Sequence, residues 1–409
     1  DEQAMRMTLK AIKRLISSSG VGQVAIRREY ASNRSNAFSS WLSSRAATAS
    51  KGSLAAPLGV GTGLASPSSR VFQIRCTRAF SSSLAAEESF EDIQIERQVE
   101  MKPAPTRVFV HNDKLVPFPY EKTEDFLLEG KRGAYTTARS VDQRAVFEFE
   151  AHVERLVETT RLMMESDEAG GGECLSKHGD ALCFTKLRPK VLGSVKVGME
   201  AFREQQSAKA KLENEGGKDE EMKLTLLLTW DAENMDIYTL VTPLGERPAQ
   251  PVKVQIGGKP RQNALAKDSE WTRQRRELEQ AKPRDCNEVI LVDDEGRLFE
   301  GLQTNFYVLK DSKLQTAGKG ILEGTVRKML LEECVKEGFP VDLSAPNIME
   351  MDQWQGVFIS STSRLLLPVS EVIYSGREGE QKTRSFTPLD PLVTKLEELV
   401  LSRYREEST

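Results

Sequence analysis

Histidine and cysteine are scarce in this chain of 409 residues, and their scarcity limits the chemistry available to it. The chain has three histidines and five cysteines, and no two cysteines form a CxxC pair. A structural zinc site needs clustered Cys and His ligands, and a Ser-His-Asp triad needs a histidine base. We therefore predict no metal site, and free thiols of the kind found in a reducing compartment.

Long apolar runs are also missing, since no stretch approaches the roughly 20 apolar residues that span a bilayer. The net charge is mild, −4, but it is unevenly spread along the chain. Residues 1–80 hold twelve Lys or Arg and three acidic residues, so the remainder is strongly acidic. An acidic body argues against nucleic acid as a main partner. We predict neither a nucleic-acid partner nor a membrane partner.

The first 80 residues are rich in Ser, Ala and Arg. The segment MRMTLKAIKRLISS places aliphatic residues on one helical face and basic residues elsewhere. This pattern predicts a disordered organelle transit peptide over 1–80, and a disordered basic tail is the alternative. Arg-Ala-Phe before Ser81 resembles a mitochondrial processing site, so we predict mitochondrial import, with a plastid as the alternative. Residues 81–104 form an acidic, irregular lead-in.

Strand and helix patterns mix irregularly from residue 105 onward. The segment RVFVHNDKLVPF predicts a hairpin with its turn at Asn112-Asp113, and GERPAQP reads as an interdomain linker. Without a regular βαβ repeat, two α+β domains fit better than a doubly wound sheet. We predict a small domain over 105–245, a linker over 246–252 and a large domain over 253–409.

A carboxylate in apolar sequence raises a question about its partner. Glu300 and Asn305, in FEGLQTNFYVL, bracket what reads as a short buried strand. An unpaired buried carboxylate that stays charged costs roughly several kcal/mol. Glu300 therefore needs a partner that offsets this cost.

Three other segments offer groups suited to an anion. Gly324 precedes a predicted helix whose first N–H groups, at Thr325 and Val326, have no intrahelical partner. The hydroxyl run 360–363 follows a predicted strand, and Arg155 lies on a predicted helix in HVERL. Guanidinium and hydroxyl groups both suit phosphate oxygens. Taken singly, each segment has a commoner structural explanation.

One ligand accounts for these segments together. A buried Lys267 would have a lowered pKa, and its neutral amine could form a Schiff base. Glu300 would pair with a pyridinium nitrogen, while Arg155, the Gly324 helix start and Thr362 would hold a phosphate. This combination describes pyridoxal phosphate. A simple phosphate-binding module would leave the lysine and the carboxylate unexplained.

Seven motifs in order carry a family resemblance: VFVHNDKLVP, EGKRGAYTTAR, HVERL, Lys267, EGLQTNF, ILEGTVR and FISSTSRLLLPV. Over about 105–375 the chain resembles the class IV aminotransferases, the fold-type IV pyridoxal-phosphate enzymes. That family includes branched-chain and D-amino-acid aminotransferases and aminodeoxychorismate lyase. The resemblance is strongest to branched-chain-aminotransferase-like proteins. It implies a two-domain α+β fold like that of D-amino-acid aminotransferase, and a homodimer with its active site near the subunit interface.

The resemblance also implies residue roles. Lys267 would form the Schiff base and carry the proton, Glu300 would face the ring nitrogen, and Arg155 would bind the phosphate. The remaining cofactor residues would be Asn305, Gly324, Thr325, Val326, Ser361 and Thr362. The substrate pocket would contain Tyr135, Arg139 and Ser363.

The chain departs from the family pattern near the lysine. The family has Asn-Tyr soon after it, whereas KDSEWT stands here, and Thr136 replaces a family glutamate. The expected activity is transfer of an amino group between an amino acid, branched-chain among the options, and a 2-oxo acid. A lyase of the aminodeoxychorismate type and a catalytically silent scaffold or complex subunit are the alternatives.

Overall fold

Residues 106–167, 171–213, 220–375 and 381–406 are described by the structure, a computed structural model. The predicted transit peptide and lead-in, residues 1–104, lie outside these ranges. All of the described residues belong to one compact unit that contains two β-sheets.

The first sheet is antiparallel throughout, with the strand order β2-β1-β6-β5-β3-β4. Its strands are β1 Val108–His111, β2 Lys114–Leu115, β3 Ala134–Val141, β4 Ala145–Val146, β5 Met222–Trp230 and β6 Met235–Pro243. Between β1 and β2, Asn112 and Asp113 have φ of 45° and 63°, as a two-residue turn between twisted strands requires. The predicted hairpin is confirmed.

Eight α-helices accompany the sheets in the described part of the chain. They are α1 Asp125–Leu128, α2 Phe149–Ser166, α3 Gly171–His178, α4 Phe184–Glu213, α5 Glu270–Gln274, α6 Arg276–Ala281, α7 Thr325–Lys336 and α8 Pro391–Glu406, with a 3₁₀ helix at Ile348–Gln353. The segment DSEWTRQRRELEQ forms two short helices, α5 and α6. None of the helices in these ranges is long and apolar enough to cross a membrane.

Strand β5 shows how the alternating pattern divides the first sheet into two faces. Leu224, Leu226 and Leu228 are fully buried in a core with apolar residues of α2 and α4. Their neighbours Thr225 and Leu227 point to the opposite face, because successive side chains of a strand alternate. Side chains on that second face form one wall of a cavity.

The second sheet has nine strands and mixed pairing. They are β7 Val252–Ile256, β8 Glu288–Val292, β9 Leu298–Gly301, β10 Asn305–Lys310, β11 Lys313–Gln315, β12 Val341–Asp342, β13 Gly356–Ser361, β14 Leu365–Ser375 and β15 Gln381–Ser385. Strand β9 pairs with both β8 and β10, so six strands close into a ring in the order β10-β13-β14-β7-β8-β9. Helices α7 and α8 pack on this sheet with a separate apolar core.

The structure corrects the interpretation of the segment around Glu300. Glu300 and Asn305 do not bracket a strand, because they are register partners on β9 and β10, and a turn joins them. Gly301 N donates to Thr304 O at 2.7 Å, which closes that turn. Of the four residues between the two partners, Gly301 ends β9 and the other three form the turn.

Along the sequence, the strands of the first sheet come before the predicted linker and those of the second sheet come after its start. The first sheet ends at Pro243, and β7 begins at Val252, the last residue of the predicted linker. The division into two domains at these positions stays a prediction. The predicted α+β composition is what the structure shows.

Replacing Phe306 with alanine should destabilise the protein by about 3–5 kcal/mol, because it leaves a cavity in the core of the second sheet. Phe306 is fully buried and packs edge-on against Trp354 with ring centroids 6.3 Å apart. Urea unfolding measures the change. Val335→Ala is the control, since Val335 is 77% exposed and its loss should stay within about 0.5 kcal/mol. Equal effects of the two substitutions would contradict the described core.

Candidate active site

Lys267 is held by backbone hydrogen bonds to the first sheet. Its carbonyl accepts from Tyr135 N at 2.9 Å, and its own N–H donates to Thr159 Oγ1 on α2 at 3.2 Å. The neighbouring Asp268 forms an isolated bridge with Ala134. These contacts join the loop after β7 to strand β3 and fix where the lysine side chain starts.

The surroundings of Lys267 favour its neutral form. Burial lowers the pKa of the Lys267 amine to about 8, with Tyr135 opposing and Arg155, Arg261 and Arg275 reinforcing the change. A substantial fraction of the amine is therefore neutral near pH 7 to 8. Such an amine is a competent nucleophile toward a carbonyl carbon.

Tyr135 lies directly beside the lysine. Lys267 Nζ is 4.9 Å from the centroid of the Tyr135 ring, and Arg275 Nη1 donates to the phenol oxygen at 3.4 Å. Burial alone would raise the pKa of Tyr135, but the charges of Lys267, Arg275 and Arg261 outweigh it and lower the pKa. The phenol is thus part of the same electrostatic cluster as the lysine.

Glu300 has a partner within the chain, which corrects the premise that its carboxylate is unpaired. Arg261 Nε donates to Glu300 Oε1 at 2.7 Å, and Leu322 N donates to Oε2 at 2.9 Å. Arg261 is fixed in turn by the carbonyls of Ala264 and Ala266. A carboxylate has about four lone-pair sites, so Glu300 can still accept another hydrogen bond from the cavity that it lines.

The N-terminus of α7 forms a cradle for an anion. Gly324 precedes the helix, and its carbonyl accepts a helical hydrogen bond from Lys328 N. The N–H groups of Thr325 and Val326 lie earlier in the first turn and have no helical partners. Arg155 reaches the same point from α2, donating to Thr325 Oγ1 at 3.0 Å and to Glu323 O at 2.7 Å. Burial lowers the pKa of Arg155 to about 10, so it stays charged at neutral pH.

Only glycine fits at position 324. A Cβ atom there would lie 2.1 Å from Asn305 Oδ1. Asn305 is itself fixed, because its Nδ2 donates to Leu322 O at 2.7 Å. Asn305 therefore holds the loop before α7 close to β10, and the absent side chain leaves room beside the helix N-terminus.

The hydroxyl run after β13 contributes a third side of the site. Ser361, Thr362 and Ser363 line the cavity, and Ser361 Oγ accepts from Arg364 N at 3.3 Å. Ser360 Oγ is engaged with Tyr307 OH at 2.7 Å. Ser360 therefore makes a structural hydrogen bond, and the three residues after it form part of the cavity wall.

These features meet in one cavity of about 730 Å³ that both sheets line. It brings together the predicted residues Lys267, Arg155, Glu300, Asn305, Gly324, Thr325, Val326, Ser361, Thr362, Tyr135 and Ser363. Arg139 is not part of the lining, since its guanidinium lies 4.6 Å from the Tyr404 ring centroid and donates to Ser363 O at 3.5 Å. No group of three potential metal ligands occurs in the described ranges.

The sequence analysis missed several lining residues, above all cations. The cations are Lys223, Arg247, Arg261, Arg275, Arg276 and Arg364, and the aromatic Trp271 also lines the cavity. Trp271 lies in the KDSEWT segment, where the sequence differs from the family pattern, and its Nε1 donates to Leu302 O at 2.9 Å. Arg261 and Arg275 flank Lys267 within eight residues, which is the one signal that could have singled them out.

The segment after the lysine is firmly anchored despite its departure from the family pattern. Asp268 accepts two hydrogen bonds from Arg132 Nε and pairs with its Nη2 at 2.5 Å. Ser269 N donates to Gly133 O at 3.0 Å, and Ser269 Oγ accepts from Gly133 N at 3.0 Å. The altered residues thus serve to fix the lysine loop against the first sheet.

The family described as amino-transferase class IV matches residues 133–372, more than half of the sequence, and the chain therefore belongs to this family. Enzymes of this family use pyridoxal phosphate.

Two relatives illustrate the sequence similarity. A probable branched-chain-amino-acid aminotransferase of Thermotoga maritima is 27% identical over 28% of this chain and 44% of its own length. Branched-chain-amino-acid aminotransferase 2, chloroplastic, of Arabidopsis thaliana is 28% identical over 26% of this chain and 28% of its own length. The chain thus matches less than half the length of both.

A solved structure shares the fold. The pyridoxal-phosphate-bound form of a hypothetical aminotransferase from Mycobacterium tuberculosis matches with a TM-score of 0.54 and 20% identity, over 74% of this chain and 99% of that chain. The predicted fold-type IV class is confirmed.

Pyridoxal phosphate fits the groups that line the cavity. A buried amine with a lowered pKa suits its aldehyde, the helix start with Arg155 suits its phosphate, and Glu300 suits its ring nitrogen. The close approach of Gly324 to Asn305 leaves the helix N–H groups accessible to phosphate oxygens.

We predict that Lys267 attaches pyridoxal phosphate and that the rate of attachment depends on pH. Because the folded pKa is about 8, the neutral fraction and the rate should fall roughly tenfold per pH unit below it and level off above it. Stopped-flow absorbance between pH 6 and about 9.5 measures the profile. A rate that keeps rising steeply above pH 9 would contradict the lowered pKa, and Lys267→Ala provides the blank.

Gly324→Ala should weaken cofactor binding by roughly tenfold or more, because the new methyl group must displace Asn305 or close the cradle. Fluorescence titration with pyridoxal phosphate measures the affinity. Gly172→Ala is a matched control, since a Cβ there meets nothing within 4 Å. Unchanged affinity in Gly324→Ala would place the phosphate elsewhere.

Proposed function

We propose that this chain is a pyridoxal-phosphate-dependent aminotransferase that moves an amino group between an amino acid and a 2-oxo acid, with Lys267 as the attachment residue. The observation that supports this most strongly is one cavity in which a half-buried lysine, a paired buried carboxylate and a helix N-terminus with an arginine lie together. Family membership supports the same reaction.

Binding of the cofactor phosphate falls to groups that are fixed before binding. Arg155 supplies a charge, and the N–H groups of Thr325 and Val326 supply oriented dipoles. Thr362 lines the cavity beside them and adds a hydroxyl. Because these groups are already fixed, they lose little conformational entropy when the phosphate binds.

At the opposite end of the ring, Glu300 would accept a hydrogen bond from the ring nitrogen. Its two oxygens keep free lone pairs after the contacts with Arg261 and Leu322 N. Bound pyridoxal phosphate supplies an electron sink for the electron pair left when a substrate carbon loses its proton. Arg261 fixes the orientation of the carboxylate for that contact.

Proton movement would fall to Lys267. Its free amine would lie in surroundings that lower its pKa to about 8. A base whose pKa lies near the working pH can both take and return a proton efficiently. Tyr135 beside it limits where Nζ can move.

Three further proposals concern targeting, domain division and assembly. We propose that residues 1–80 direct the protein to an organelle, with the mitochondrion favoured and a plastid as the alternative. We also propose two domains at the predicted boundaries and a homodimer. Expression of a 1–80 fusion with a fluorescent protein, and sedimentation of the purified chain, would test the first and last of these.

Lys267→Ala should abolish the visible absorbance that purified protein acquires with pyridoxal phosphate, because it removes the amine that we propose attaches the cofactor. A colourless wild-type protein would overturn the proposed function. Amino donors added with and without a 2-oxo acid acceptor separate the two reactions. Turnover without an acceptor would indicate a lyase rather than an aminotransferase.

Glu300→Gln should lower turnover by roughly 100-fold or more, since the ring nitrogen loses its anionic partner. The substitution should also destabilise the fold by about 3–5 kcal/mol, because Arg261 stays buried without its carboxylate. Adding Arg261→Met should restore much of the stability but not the turnover. Full turnover in Glu300→Gln would show that the carboxylate is misassigned.

A further inference from the structure

The turn between β13 and β14, residues 362–364, is a strained part of the cavity wall. All of its residues line the cavity. Leu365, which follows the turn, has a φ of 57°, in the left-handed region that bulky side chains rarely adopt. The hydrogen bond that closes the turn, from Arg364 N to Ser361 O, is long at 3.3 Å. A conformation of this kind persists only when surrounding groups fix it.

Arg247 fixes the backbone on both sides of Leu365. Its Nε donates to Arg364 O at 2.9 Å, and its Nη2 donates to Leu366 O. These two carbonyls belong to the residues immediately before and after Leu365. The planar guanidinium therefore spans the strained residue, and its rigid fork suits acceptors that are held at fixed positions.

Arg139 reaches the same turn from the first sheet. Its Nη1 donates to Ser363 O at 3.5 Å, a weak hydrogen bond, and its Nε is buried without a partner. The predicted place of Arg139 was the substrate pocket, but its guanidinium instead lies against the backbone of the turn. Because this hydrogen bond is weak, the position of Arg139 depends on its other contacts.

Helix α8 supplies a contact to each of the two arginines. Glu397 Oε1 accepts from Arg247 Nη2 at 2.9 Å, and both side chains are mostly buried. The Tyr404 ring centroid lies 4.6 Å from the Arg139 guanidinium, and Phe147 packs edge-on against the same ring at 5.0 Å. Glu397 and Tyr404 lie about two turns apart, so they share one face of the helix.

The position of α8 is set by the core of the second sheet. Val393, Leu396 and Val400 are fully buried there, among residues of β13, β14 and α7. Arg403 Nη1 also donates to Glu333 Oε1 on α7 at 3.2 Å. Since α7 begins at the anion cradle, α8 contacts two of the elements that form the predicted phosphate site.

We propose that Glu397 and Tyr404 are positioning residues that act through Arg247 and Arg139 to hold the 362–364 turn in the shape that binds the cofactor phosphate. The inference rests on the proposed function, in which Thr362 contacts that phosphate. Glu397 and Tyr404 are themselves not among the residues that line the cavity. The site therefore depends on side chains that do not touch the cofactor.

Hydrogen exchange of the full-length protein, followed by mass spectrometry, tests the support of the turn. Glu397→Gln and Tyr404→Leu should each raise the exchange rate of amides in 361–366 by roughly tenfold. Exchange in β10 should stay unchanged, because the core of the sheet remains folded. An equal rise in β10 would indicate a loss of global stability, and it would overturn the proposal, as would unchanged exchange in 361–366.

Two further variants serve as controls on the same helix. Glu398→Gln repeats the substitution at an exposed neighbouring position and should change neither region. Tyr404→Phe keeps an aromatic ring over the Arg139 guanidinium and should retain the exchange of the wild-type protein. Loss of protection in Tyr404→Phe as large as that in Tyr404→Leu would contradict the role given to the ring.

Ligand affinity provides a second readout, which separates positioning of the phosphate site from a general structural role. Pyridoxal phosphate and pyridoxal, which lacks the phosphate, are titrated into each variant and followed by absorbance. Glu397→Gln and Tyr404→Leu should weaken binding of pyridoxal phosphate by roughly fivefold and leave that of pyridoxal within about twofold. Equal weakening of both ligands, or of neither, would overturn the proposal.

The two proposals fail separately. Wild-type protein that stays colourless with pyridoxal phosphate would overturn the proposed function. Wild-type protein that becomes coloured, with variants that match it in exchange and in affinity, would retain the function and lose the support by α8.

Discussion

The short backbone pairing between Lys267 and Tyr135 is the contact on which the site depends. It ties the loop that leaves the ring of strands in the second sheet to strand β3 of the first sheet. Without it, the lysine would not lie against the tyrosine ring or within the cavity that both sheets line. The hydrogen bonds of Ser269 with Gly133 extend the same pairing by two residues. A family signature is missing in this loop, yet the loop is among the best anchored in the protein.

The burial of charged groups is the second constraint, and it determines which side chains at the site are neutral and which are charged. Burial removes cations from water and so lowers the pKa of both Lys267 and Arg155. The outcomes differ, because the lysine becomes partly neutral whereas the arginine remains charged. Glu300 and Arg261 satisfy one another, which allows a carboxylate to be buried where a ring nitrogen can reach it.

Much of the fold and site could be predicted from the sequence, but only where local pattern determines structure. The hairpin at Asn112-Asp113 follows from turn chemistry, and the helix start at Gly324 follows from capping rules. Partners distant in sequence could not be predicted, and Arg261 opposite Glu300 is the clearest case, because 39 residues separate them. The position of Arg139 was missed for a similar reason. Its contact with Tyr404 depends on how the C-terminal helix packs, which no local pattern encodes.

The central claim is that Lys267 is the residue to which pyridoxal phosphate attaches. The most direct measurement incubates the full-length protein with pyridoxal phosphate, reduces it with borohydride, digests it and locates the cofactor by mass spectrometry. The account predicts one modified lysine, Lys267, at close to one cofactor per chain. Modification spread over exposed lysines, with Lys267 unmodified, would contradict it.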